Sequence, residues 1–477
     1  MSLAGRRAKI VATLGPASAD AAMVRKLAIA GADCFRLNAA HLQPEAIPPL
    51  VALVRGEEAA AGRPLGVFCD LAGPKLRVAK GVPTITLESG SSVTIGTSGS
   101  GATLAVDGID PAHECPAGSR ILVHDGKVVL RVSAAGGRAV TAEVMRGGEV
   151  SAEMGVNLPD VDTSLPSLTE HDVRCLRSAL EGGADAISLS FVRGAADVVA
   201  LREAMRSCGR EAPIIAKLEK AQAVAPDALA AILAAADVVM VARGDLGAET
   251  APELVPVLQK RILRAARSAG VPAITATEML ESMVREPRPT RAEAADVANA
   301  VFDGTDAVMV SAETAVGVHP ALVVEVAVRI ITEAEAHPEY RAAWAESRSS
   351  AELRDPVSDA VAEAAAEAAE RLGAAVLVCF TQSGKTARLA ARHRPARRVL
   401  ALTPRLEVAR SLSLVWGVEA IVVADQPDDH EAVLALAERA ACEHGAAIGG
   451  DLIVVTHGAP VASRALTNLM RVHRIGS

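Results

Sequence analysis

Eight short apolar runs, each followed by a longer amphipathic stretch, constrain this chain more than any other feature. They span Lys9 to Gly15, Asp33 to Ala39, Leu65 to Leu71, Ala186 to Phe191, Pro213 to Glu219, Val238 to Asp245, Pro272 to Met279 and Asp306 to Thr314. The runs are rich in β-branched residues and lack strict alternation, as strands buried on both faces do. Segments between them, such as MVRKLAIAGA, have helical character and a glycine where a C-cap would supply one. Strands alternating with helices give an α/β chain with a parallel sheet, and eight strands close a (β/α)8 TIM barrel. An open doubly wound sheet is the alternative. The run ends favour the barrel. Arg36 and Asn38, Asp70, Ser190, Lys217 and Glu219, Arg243 and Asp245, Thr277 and Glu278, Ser311 and Glu313 all stand where a core strand avoids polarity. In a barrel all these ends converge on one mouth, where active sites sit.

A length of 477 residues, at about 150 per domain, leaves room for roughly three domains. Between the third and fourth runs, residues 79–154 read PTITLESGSSVTIGT and ILVHDGKVVLRV, alternating segments with Gly, Ser and Asp turns. This predicts a small antiparallel β-barrel lid domain inserted into the barrel of residues 1–78 and 155–345. Residues 346–477 contain AAVLVCF, VLALTP, AIVVAD and DLIVVT with helical patterns between them, a separate C-terminal α/β domain.

Composition narrows the partners. Aromatics are 2% of the chain, and 49 basic residues face 57 acidic ones for a net charge of −8. Neither a base-stacking surface nor a polyanion-wrapping field fits, so no nucleic acid is expected. The most apolar stretch, near Ala228 to Ala242, carries Asp237 and is too short to span a bilayer. The basic N-terminus has its apolar stretch cut at Gly15-Pro16, unlike a signal peptide. Seven cysteines without a Cys-x-x-Cys pair, three of them (Cys34, Cys69, Cys379) inside apolar runs, read as free thiols in a reducing compartment. Zinc is not expected, and the expected location is the cytoplasm.

Several residues carry candidate chemistry. Lys217 and Glu219, two apart on one strand, point to the same side. They can form a structural ion pair. They can also work with Asp245 from the next strand end, two carboxylates making a hard oxygen site suited to magnesium, with Lys217 facing charge on a substrate. The glycines Gly244 and Gly247 beside Asp245 mark a turn whose backbone N–H groups can hold a carboxylate or phosphate. Arg36, Asn38 and His41 end the second run and Arg77 follows the third; guanidinium groups at a mouth suit phosphate. In the C-terminal domain, Thr381, Gln382, Ser383, Gly384, Lys385 and Thr386 follow a strand and open a helix, a plausible phosphate cradle without Walker A spacing.

From end to end the chain resembles pyruvate kinase. The motifs are KIVATLGPAS at the start, RLN-x-x-H at Arg36 to His41, GVNLP at Gly155 to Pro159, SFVR at Ser190 to Arg193, AKLE at Ala216 to Glu219 and ARGDLG at Ala242 to Gly247. The longest piece is ATEMLESMVREPRPTRAEAADVANAVFDGTDAVMVSAETAVG. The resemblance implies phosphoryl transfer from phosphoenolpyruvate to ADP, giving pyruvate and ATP, in a homotetramer. Glu219 and Asp245 match the residues that bind magnesium or manganese, and Lys217 the lysine that stabilises the transferring phosphoryl group and the enolate. Arg36 matches an arginine on the phosphoryl group. Gly244, Asp245 and Thr277 match positions around the substrate carboxylate and enolate carbon, while Arg77, Asn38 and His41 fall on the nucleotide side. The family places a phosphorylated effector at the loop of Thr381 to Thr386.

Departures from the family pattern cluster at the mouth. Many members hold potassium through oxygens that include a serine hydroxyl; here that position is Ala40, and the common glutamate after Gly-Pro is Lys75. The expectation is that Lys75 supplies the charge and potassium is not required. Leu42 replaces a glycine, Ala72 a lysine and Glu278 a common glutamine, and Glu153-Met154 stands where lysines are frequent. Two other readings are kept, the first of them motivated by these changes. One is a slow or non-catalytic paralogue that senses phosphometabolites. The other is a metal-dependent lyase or aldolase acting on pyruvate enolate.

Overall fold

The computed structural model describes residues 5–124, 126–340, 344, 355–424, 429–458 and 466–476. All eight runs become strands: Lys9–Leu14, Cys34–Asn38, Gly66–Asp70, Ala186–Leu189, Ile214–Leu218, Val238–Ala242, Ala273–Ala276 and Ala307–Val310. They close a barrel in chain order, and every neighbouring pair is parallel. The open-sheet alternative therefore falls away. Because side chains alternate along a strand, one set of residues fills the interior and the other packs on the surrounding helices. Cys34, Phe68, Ala186 and Ile215 belong to the interior set. Two residues further along the same faces come Arg36, Asp70, Ser188 and Lys217, which the period of two places in a polar layer above the apolar one.

The floor of the barrel is closed by the C-terminal domain. Leu414 joins the interior cluster with Val11, Phe68, Met240 and Met309. Around it, Lys9 Nζ donates to the Val418 carbonyl at 2.7 Å, and Glu335 accepts from the Arg7 and Ala8 N–H groups and from Trp416 Nε1. The domain itself is a five-stranded sheet ordered Val418–Val422, Arg398–Thr403, Val376–Phe380, Leu452–Gly458 and Thr467–Arg474, with only the last strand antiparallel. The expected start of this domain at residue 346 lies outside the described residues.

The inserted domain is a closed barrel of seven strands. Its walls include Leu76–Val78 and Gly155–Asn157, paired antiparallel, so it reaches a few residues into the segments assigned to the large barrel. One pair departs from the antiparallel expectation: Ser92–Gly96 runs parallel to Leu104–Asp107 over two residue pairs. The connection between them turns through Gly99 and Gly101, both at positive φ. These left-handed residues double the chain back without a helical crossover.

Candidate active site

The mouth is organised around one buried ammonium. Lys217 Nζ donates to Ser190 Oγ at 2.8 Å, and lies 2.9 Å from Glu219 Oε1 and 3.5 Å from Asp70 Oδ1. Burial opposes its charge, but Asp70 and Glu219 outweigh that penalty and raise its pKa. Ser190 donates its own proton to the Leu71 carbonyl at 2.7 Å, so it is a lone pair that faces Lys217. Asp70 accepts from Arg36 Nε at 2.7 Å, which fixes the guanidinium beside Lys217. Burial would raise the Asp70 pKa, yet Lys217 and Arg36 hold it below the ordinary carboxylate value.

Glu219 lies just past its strand and is fully buried. The Phe191 N–H donates to its Oε2 at 2.6 Å, from a backbone held at φ +54°. Oε1 faces the Lys217 ammonium at 2.9 Å and, among the described residues, accepts from no other group. Burial raises the Glu219 pKa, Lys217 opposes the rise, and the negative charge of Asp245 adds to it. Asp245 lies in the helix Arg243–Glu249 rather than at the strand end expected for it, since that strand stops at Ala242. Its side chain is a quarter exposed, with Lys75 Nζ 3.4 Å from Oδ1. A buried Glu219 oxygen whose close partner is the Lys217 ammonium, and a partly open Asp245 near enough to act on its charge, fit a hard divalent cation that keeps several waters. Among the described residues no cluster of three His, Cys, Asp or Glu side chains offers a metal site. A cation held by this carboxylate pair would draw its other oxygens from substrate and water.

Thr277 and Glu278 both adopt positive φ, +70° and +53°. Such backbone costs about 1–3 kcal/mol per residue and needs support. Arg243 provides it: Nη2 donates to the Thr277 carbonyl at 2.6 Å, Nε to the Ala276 carbonyl at 3.3 Å, and Nη1 to Asp296 at 2.8 Å. The Gly244 N–H, expected to be open for an anion, instead donates to Thr277 Oγ1 at 2.9 Å. It ties Thr277 to the Asp245 helix.

The remaining expected residues are spread along the rim. Asn38 Oδ1 accepts from the Ala40 N–H at 3.3 Å, capping a short turn that ends in exposed His41. Arg77 is exposed on the lid wall and donates to the Glu153 carbonyl at 2.9 Å. In the distant loop, left-handed Gly384 caps the helix Lys385–Arg392. There Lys385 Nζ pairs with Asp355 at 2.6 Å, the Gln382 carbonyl accepts from Arg405, and Thr386 bonds Thr467 at 2.6 Å, while Ser383 is exposed and Thr381 buried. Lys385 therefore already has a carboxylate partner. Sequence reasoning misses the positioning roles of Ser190, Phe191 and Arg243. Ser190 and Arg243 signal themselves only as polar run ends, and a backbone N–H leaves no trace in sequence.

Fold and site together define a barrel enzyme with a capped mouth, where a buried lysine, a fixed arginine and two carboxylates await an anionic, oxygen-rich substrate. Comparison with known proteins narrows this class. A family model described as "Pyruvate kinase, barrel domain" matches residues 5–324, and "Pyruvate kinase, alpha/beta domain" matches residues 359–473. The chain is 42% identical over 475 residues to the pyruvate kinase of Mycobacterium tuberculosis, covering 99% of each. It is 38% identical to pyruvate kinase 2 of Synechocystis, covering 98% of this chain and 79% of that one. The crystal structure of a pyruvate kinase from Cryptosporidium parvum superposes with a TM-score of 0.92 at 32% identity, covering 99% of this chain and 97% of that one. The chain belongs to the pyruvate kinase family and is a phosphotransferase. Among the described residues no helix is long and apolar enough to cross a membrane.

Proposed function

We propose that this chain transfers the phosphoryl group of phosphoenolpyruvate to ADP, giving pyruvate and ATP, with magnesium or manganese held by Glu219 and Asp245. The observation that carries the reading is the buried Lys217 ammonium, fixed by Ser190 and Asp70 beside the buried Glu219 carboxylate. The enol oxygen–phosphorus bond breaks, a terminal ADP oxygen bonds phosphorus, and the enolate takes a proton at its methylene carbon. Such transfers depend on positioning and on cations at the moving charge. Lys217 faces the phosphoryl oxygens and the oxygen left on the enolate. Arg36, held by Asp70, grips the phosphoryl group. Thr277, with Gly244 and Asp245, orients the carboxylate and the enolate carbon. Asn38, His41 and Arg77 lie on the nucleotide side. A bound divalent cation supplies positive charge to the oxygens of both substrates.

The reading includes independence from potassium, because Lys75 brings a covalently tethered ammonium to the mouth while Ala40 lacks the hydroxyl that many relatives use. It also includes, from family likeness, a homotetramer and a phosphorylated effector at Thr381 to Thr386. The test is pyruvate release from phosphoenolpyruvate, ADP and magnesium, with either potassium or tetramethylammonium as the only monovalent cation. Equal, substantial rates support the kinase and the role of Lys75 in place of potassium. A rate with potassium alone removes the role of Lys75 and keeps the kinase. No rate in either, with folded protein and candidate activators present, removes the kinase.

A further inference from the structure

Each carboxylate assigned to the divalent cation already faces a lysine: Glu219 Oε1 is 2.9 Å from Lys217, and Asp245 Oδ1 is 3.4 Å from Lys75. The two lysines differ in what they keep when released. Lys217 retains Ser190 and Asp70. For Lys75, Asp245 is the one carboxylate within ion-pair distance among the described residues.

The approach of Lys75 is built into the surrounding chain. Gly73, at φ +69°, lets the turn before Lys75 lie directly on Ser190 and Phe191, where an added Cβ would come within 3.0 Å of both. Those residues also hold Lys217 and Glu219. On the other side the Lys75 stem passes Gly155 of the lid, where a Cβ would meet Cε at 3.3 Å. The ammonium is thus steered between barrel and lid toward Asp245. The pair is partly open, with the side chains 33% and 25% exposed, so it is an exchangeable contact rather than a locked one.

We propose that Lys75 is an internal occupant of the metal site. Its ammonium competes with the divalent cation for Asp245, so the free protein binds metal weakly, and an anionic substrate that draws Lys75 away tightens metal binding. This rests on the reading of Glu219 and Asp245 as the metal carboxylates. The ammonium and a dication repel each other at contact with the same oxygen pair. An arriving phosphate gives Lys75 a new partner, and the linkage is reciprocal: metal and substrate raise each other's affinity by the same factor.

The test is a Mn2+ titration of the full chain in tetramethylammonium buffer, followed by the electron paramagnetic resonance signal of the free aquo ion. Wild type, Lys75→Met and Lys75→Gln are compared with and without phosphoenolpyruvate, and thermal melts verify folding of both variants. The proposal expects the Mn2+ dissociation constant without substrate to fall by about fivefold in both variants, and the gain on adding phosphoenolpyruvate to shrink. An affinity unchanged within about twofold, or weakened, overturns it. Glu219→Gln tests the underlying reading separately. If that variant binds Mn2+ as wild type does, the metal assignment fails and the proposal with it. This readout is independent of the potassium requirement, which is measured in turnover.

Discussion

Replacing Ser190 by alanine removes a hydroxyl that accepts from Lys217 at 2.8 Å and donates to the Leu71 carbonyl at 2.7 Å. A hydrogen bond to a charged group contributes about 1.5–3 kcal/mol. At about 1.4 kcal/mol per tenfold in rate, full loss in the transition state slows turnover by about 10- to 150-fold. Lys217 keeps Asp70 and Glu219, so the fold survives, but the ammonium moves toward Glu219 and away from the transferring group. Ser190 acts through Lys217 rather than on the substrate. The expected signature is therefore a fall in kcat with the KM for phosphoenolpyruvate within about threefold of wild type. The assay is steady-state kinetics at saturating ADP and magnesium, with a thermal melt alongside. A folded variant whose kcat stays within about twofold, or whose loss lies wholly in KM, refutes the reasoning.

Three further outcomes follow from the geometry. Burial pushes the Lys9 ammonium down from 10.5 to about 8, with Asp33 opposing the shift. The folded chain thus releases a proton that the unfolded chain keeps between those values, so stability rises with pH across that window, by about 3 kcal/mol. Denaturant unfolding at the two ends of the window should show this rise in wild type and lose it in Lys9→Met; equal slopes refute it. Leu414→Ala opens a cavity in the barrel floor and costs about 2–5 kcal/mol, read as a lowered denaturation midpoint with kcat nearly unchanged. Arg243→Lys loses the fork that holds the Ala276 and Thr277 carbonyls, and kcat/KM for phosphoenolpyruvate should fall by about thirtyfold, chiefly through KM.

Much of the fold is readable from residue order alone. Eight apolar runs with polar ends become eight barrel strands, because buried parallel strands have little other way to be written. Lys217 is conspicuous, a charge within an apolar run, and the period of two puts it above Ile215 in the interior. What escapes depends on contacts between distant segments. Asp245 reads as a strand end, since nothing in Ala242-Arg243-Gly244 marks where strand gives way to helix. Gly244 reads as an open anion donor, and only the fold brings Thr277 to its N–H. Lys75 stands out as an unusual charge, but its partner lies 170 residues away. Leu414 resembles any helix-end leucine until its domain is set against the barrel.

The closure of the barrel floor by a later domain has a temporal consequence. Lys9, on the first strand, is capped by the Val418 carbonyl 409 residues further along the chain. A ribosome adding about 5–20 residues per second needs roughly 20–80 s to make that stretch. For that interval the first strand and the apolar ring around Val11 and Phe68 exist without Leu414 beneath them. The nascent barrel has to persist with an uncovered base, or wait for its last third before settling. The final domain is, in this respect, the step that completes the first.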